Sequence, residues 1–199
     1  GELAATFDAV RTMGYERVSD HRVLEINIED LNFVERYNDL KRIRPADDLS
    51  GLDYVYNKFS ENRNVMMRRH DSVADTEQGN GVPGSVFARP FEHFFKGKQV
   101  YLSRDEQGQP DGYVKLHFEM PLRDHWLKDG ILHVDEICYT TPKALRKLMG
   151  FLRMYEGQYD YVRFTNVGMA PEVERLLRRY KSPKITILPD ISARIHDVA

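Results

Sequence analysis

Several things are scarce in this sequence of 199 residues, and each scarcity excludes something. Cys138 is the only cysteine. A single thiol rules out an intrachain disulfide framework and any multi-cysteine metal site, and it suits a reducing compartment. No run approaches roughly 18 consecutive apolar residues, and the N-terminus lacks the basic-then-apolar order of a secretion signal. The formal net charge is only -2, so no strong overall field points toward nucleic acid or an anionic membrane. The expectation is a cytoplasmic protein that partners neither. Glycine is missing where it would matter most. The stretch CYTTPKALRKLMGFLRMYEG, residues 138–157, runs from an apolar strand into a helix, yet contains no glycine before Gly150.

What is present is an ordinary globular composition, with 41% hydrophobic and 30% charged residues, enough to bury a substantial core. Residues 3–13 have helical spacing through Leu3, Phe7, Val10 and Met13, and Gly14 suits a C-cap. Short strands follow at YERVS and HRVLEINI, then a connector, IEDLNFVERYNDL, and a strand at KRIRP. Apolar residues at Leu49, Leu52, Val55, Tyr56 and Phe59 predict a helix with an aspartate at its N-cap. A weaker helix is expected at VMMRRHDSVADT and a loop at QGNGVPGS.

In the second half, VFARPFEHFFKG reads as a short helix leading to the strand QVYLSR. A turn joins that strand to GYVKLHFEM, making a hairpin. Its alternation sets Val114, Leu116, Phe118 and Met120 on one face and Tyr113, Lys115, His117 and Glu119 on the other. Beyond a turn holding Trp126 come the strand ILHVDEICY, a helix, the strand YDYVRFTN, the helix APEVERLLRRY and strands at KITIL and SARIHDV. An antiparallel half running into a βαβ half predicts an α/β protein with one mixed sheet flanked by helices. Residues 1–28 and 170–197 share the order helix, strand, strand, an internal echo that suggests two copies of one unit. The chain opens on GELAATF without Met and is expected to be part of something longer.

Three stretches carry a family resemblance: LDYVYNKFSENRNVMMRR; DGYVKLHFEM through ILHVDEICYTTPKALRKLMGFLRMY; and PDISARIHDV. Together they resemble the GCN5-related N-acetyltransferase (GNAT) fold, and more narrowly the second acetyltransferase-like unit of the Eis (enhanced intracellular survival) type. The resemblance spans about residues 45–199, and RTMGYERV resembles the closing turn of a first unit. It implies that residues 1–40 are the end of a first GNAT unit plus a linker and that residues 41–199 form a second, GNAT-like unit. It also implies a parent that transfers acetyl from acetyl-CoA to amines, small aminoglycoside-like molecules or protein lysines, and that assembles as a homo-oligomer. The alternative is a non-catalytic GNAT-like structural or ligand-binding module.

A working GNAT loop uses small residues so that successive backbone N–H groups can approach the pyrophosphate of CoA at a helix N-terminus. TTPKALRKLMG does not offer that. Pro142 has no N–H and suits a first helical turn, and Ala144, Leu145 and Arg146 carry side chains where close approach is needed. A capped structural helix is the expected reading, with no cofactor-binding residue here. Acetyl-CoA would then belong to the unit mostly missing from this chain. The family's catalytic tyrosine falls on Val10 when counted back from Gly14, so no catalytic residue is assigned. Tyr15 and Tyr139 are the candidate substrate-lining phenols. His117 and His133, with Glu119 and Asp135 two residues after each, invite a metal reading, but they lack HxH or HExxH spacing, and no metal site is assigned.

Overall fold

The computed structural model describes residues 16–17, 20–61, 63, 94–119, 130–165, 170–189 and 192–193. The elements are β1 (Glu16–Arg17), β2 (Asp20–Asn27), β3 (Lys41–Ile43), α1 (Ser50–Ser60), β4 (Gln99–Arg104), β5 (Pro110–Glu119), β6 (Ile131–Tyr139), α2 (Pro142–Leu152), β7 (Tyr161–Phe164), α3 (Pro171–Tyr180), β8 (Lys184–Pro189) and β9 (Ser192–Ala193). Short 3-10 helices follow β2 (Ile28–Phe33) and α2 (Arg153–Tyr155). The helices expected at 3–13 and in VMMRRHDSVADT, the loop QGNGVPGS, and Trp126 lie outside the described residues.

Seven strands form one mixed sheet in the order β3-β4-β5-β6-β7-β2-β8. Among the described strands of this sheet only β6 and β7 pair in parallel; the other neighbouring pairs are antiparallel. The α/β class expected from the element order is what the sheet shows. On one face, Val114, Leu116, Leu132, Val134, Val162, Phe164, Leu24 and Ile26 are buried, as strand alternation requires. Helix α2 lies on that face, burying Ala144, Leu145, Leu148, Met149 and Leu152 at helical spacing. Gly112 of β5 admits it closely: a Cβ there would sit 3.1 Å from Leu148 Cδ1. Tyr113, on the face expected to be polar, is fully buried, because α1 packs over that end of the hairpin.

The segment expected to close a first unit contributes β2 to the main sheet. That strand is hydrogen-bonded to β7 through Leu24–Asn27 and to β8 through Asp20–Glu25. Leu24 and Ile26 point into the shared core, so the hydrophobic term holds β2 there. Only β1 stands apart, pairing with β9 as a two-stranded ladder. The start of α1 also differs from expectation. No aspartate side chain caps it; Asp48 instead accepts from the backbone N–H and hydroxyl of Ser50, at 2.9 and 3.0 Å.

From the end of β2 the chain must cross to β3 at the opposite edge, and it passes over α2. Tyr37 N–H donates to Gly150 O at 3.2 Å, and Arg153 Nη1 donates to Val34 O at 2.7 Å. Arg36 pairs with Glu156 at 2.6 Å. A Cβ on Gly150 would fall 2.2 Å from the backbone oxygen of Glu35. The late glycine in the α2 sequence therefore serves a chain crossing, and it lies two turns past the helix start where a phosphate would be held.

Candidate functional site

The β6–α2 junction is the place to look, because ligands of open α/β sheets bind beyond the carboxyl ends of parallel strands. Strands β6 and β7 pair from Ile131–Tyr161 to Val134–Phe164, and Thr165 N–H adds one bond to Val134 O at 3.0 Å. Beyond Val134, β6 runs on to Tyr139 without β7. The two strands thus diverge below the N-termini of α2 and α3.

That divergence is filled by protein. Tyr139 is 6% exposed, and its ring meets Phe59 edge-on with centroids 5.1 Å apart. Its hydroxyl donates to Glu172 Oε2 in the first turn of α3, at 2.8 Å. Arg63 donates to the same oxygen at 3.0 Å and lies 3.6 Å over the Phe59 ring. Burial, and then the Glu172 carboxylate, push the Tyr139 phenol well above its ordinary pKa. Burial alone would raise Glu172, but the Tyr139 hydroxyl and Arg63 hold it below the usual carboxylate value. Tyr139 is therefore a packed hydrogen-bond donor and a poor acid. It ends β6 packed inside this cluster, on Phe59 and Glu172; Tyr15 lies outside the described residues.

Two of the junction's amides are already bonded. Thr140 N–H donates to Asp111 O at 2.9 Å, and the Thr140 hydroxyl bonds the same oxygen at 3.1 Å. Thr141 is the N-cap of α2, its Oγ1 accepting from Ala144 N–H at 3.1 Å, with Pro142 in the first turn. No run of successive free amides is left in 140–144, which is what a pyrophosphate cradle needs. The nearby lysines are engaged as well. Lys147 Nζ donates to Asp111 Oδ2 at 2.9 Å, while Ser103 holds the other Asp111 oxygen at 2.5 Å. Lys143 pairs with Glu106 at 2.5 Å. Sequence reasoning reached the cap and the proline; it missed Glu172, Arg63 and Asp111, whose partners are 33, 109 and 36 residues distant.

The histidines expected on the second face of the sheet are brought together. A bulge at Asp135 shifts the β5–β6 register between Lys115 and Leu116, and beyond it His117 lies directly opposite His133. The rings stack at 4.1 Å. Among the described residues no group of three or more His, Cys, Asp or Glu side chains has metal-binding geometry.

The model of the acetyltransferase (GNAT) domain family matches residues 87–195, just over half of the chain. The chain belongs to the GNAT acetyltransferase domain family. No curated protein matches the chain in sequence. Among solved structures, a conserved protein of unknown function from Enterococcus faecalis, described as "Probable N-Acyltransferase", superposes with a TM-score of 0.64 at 22% identity, over 95% of this chain and 43% of its own. A GCN5-related N-acetyltransferase from Anabaena variabilis superposes at 0.62 and 19% identity, over 92% and 41%. Eis from Mycobacterium abscessus gives 0.57 and 16%, over 90% and 42%. At such identities the likeness is one of fold. This GNAT chain spans less than half the length of those three proteins. No helix among its described residues is long and apolar enough to cross a membrane.

Proposed function

We propose that this GNAT chain is the non-cofactor-binding unit of an Eis-type, acetyl-CoA-dependent N-acetyltransferase, shaping the acceptor pocket and the assembly of a larger cytoplasmic, homo-oligomeric enzyme. One observation carries the reading. The junction where a GNAT unit would hold CoA is closed on both sides, by the Thr141 cap and by the Tyr139–Glu172–Arg63 plug. Transfer requires a neutral amine to attack the thioester and a proton donor for the departing thiolate. The phenol at this junction, with its raised pKa, is unsuited to that donation.

The acetyl-CoA site then belongs to a companion unit, and the acceptor is an amine, of the aminoglycoside kind or a protein lysine. Residues 1–40 are proposed as the closing segment and linker of that first unit, lending β2 to this sheet, with residues 41–199 as the second unit. The alternative, a GNAT-like module that assembles or binds without transfer, rests on the same closed junction.

Calorimetric titration of acetyl-CoA separates these cases. The chain alone is expected to give no saturable heat. A longer natural polypeptide carrying a preceding unit is expected to bind acetyl-CoA and release free thiol when an amine is added. Binding without thiol release in the longer polypeptide favours the module.

A further inference from the structure

The second sheet face carries a group of ionisable residues that the proposed acetyltransferase function does not use. His133 is buried, its side chain 8% exposed. Its Nε2 lies 2.7 Å from Glu119 Oε2, which places the ring proton on Nε2. Nδ1 is then a bare lone pair, fully buried and without a hydrogen-bond partner. The stacked ring of His117 has its Nδ1 2.8 Å from Asp135 Oδ1 and 2.9 Å from Lys98 Nζ, and Lys98 itself reaches Asp135 at 2.6 Å.

The two rings differ in what their Nδ1 atoms face. His117 Nδ1 has the Asp135 carboxylate beside it. A second proton on His133 would enter at Nδ1, where no described group accepts it. It would face His117 from β5 and Arg163 from β7, their effect opposed by Glu119. Arg163 is held by Glu25 of β2 at 2.5 Å. Lys115 pairs with Glu136 at 3.5 Å on the far side of the bulge. Burial, opposed by the Glu119 bond and reinforced by His117 and Arg163, holds His133 below its ordinary value.

We propose that the His117–His133 pair is a proton-operated latch on the β5–β6 ladder beyond the Asp135 bulge: neutral, it closes Leu116–Glu119 against Ile131–Val134; to take up the second proton, that stretch must open. The bulge confines the effect, because it already breaks the ladder's regular register at its inner end. The latch is independent of the acetyl-transfer reading.

The sign follows from proton linkage. Below the ordinary imidazole value of about 6.5, the open state binds one more proton than the closed state. The opening constant therefore rises as pH falls, by up to about tenfold per unit, until the closed state itself protonates. The test is amide hydrogen exchange on the full chain at three pH values from about 7.5 to about 5.5, corrected for intrinsic rates. Amides of 116–119 and 131–134 are expected to lose protection by several-fold to about tenfold between about pH 6.5 and about 5.5, while α2 amides hold steady. His133→Gln keeps a donor for Glu119 but cannot take a proton, and it should flatten the response. An unchanged wild-type opening constant, or the same rise in His133→Gln, overturns the proposal. Should that variant not fold, imidazole NMR of the unmodified chain decides. A His133 ring that protonates near about pH 6.5 within an intact ladder refutes the latch; a ring that stays neutral until the ladder opens supports it.

Discussion

Gly150→Ala isolates the chain crossing that ties β2 to the rest of the sheet. In an ordinary helix interior this change stabilises by about 1 kcal/mol, since alanine restricts the unfolded chain and favours the helix. Here the new Cβ would stand 2.2 Å from Glu35 O and 3.1 Å from Tyr37 Cβ. A carbon–oxygen contact needs about 1 Å more than that, and the obstructing atom is backbone, so the whole 34–37 segment must move. Moving it breaks Tyr37 N–H to Gly150 O, worth about 1 kcal/mol, and disturbs Arg153 to Val34 O. Overpacking adds roughly 1–3 kcal/mol. Against the helical gain, the net expectation is a destabilisation of about 1–3 kcal/mol. Urea unfolding followed by circular dichroism reads it as a lower midpoint at unchanged m-value. A neutral or stabilised Gly150→Ala protein would show that residues 34–37 do not press on α2, and the crossing as described would be wrong.

Three further outcomes follow from α2. Thr141→Ala removes the cap on Ala144 N–H and should cost about 1 kcal/mol by the same unfolding assay, whereas Lys143→Ala, which loses only an exposed pair with Glu106, should stay within about 0.5 kcal/mol. Leu148→Ala, at a fully buried position against Gly112, should cost roughly 2–5 kcal/mol.

What the sequence made legible was local. A capped helix start and Pro142 in the first turn belong to one helix, and so does the buried Leu145–Leu148–Leu152 stripe, where spacing alone determines the face. The hairpin alternation placed Val114 and Leu116 inward, and it put His117 and His133 on neighbouring strands. The long-range pairings were not legible. Nothing in HRVLEINI says that Leu24 will pair with Phe164 and Ile185, because such a register is set by the whole core. Tyr113 reads as outward until α1 is laid over it. The plug at the junction joins Phe59, Arg63, Tyr139 and Glu172 from three separate regions of the chain. Tyr139 could be picked out by its position at the end of β6, but its partner could not.

The claim at the centre of this account is that the β6–α2 junction is a capped, filled structural joint. Isothermal titration of acetyl-CoA into the folded chain tests it most directly. The expected result is no saturable heat at micromolar concentrations, with Arg146→Ala giving the same flat trace. Saturable binding at those concentrations, abolished by Arg146→Ala, would contradict the account and make this junction a cofactor site without glycines.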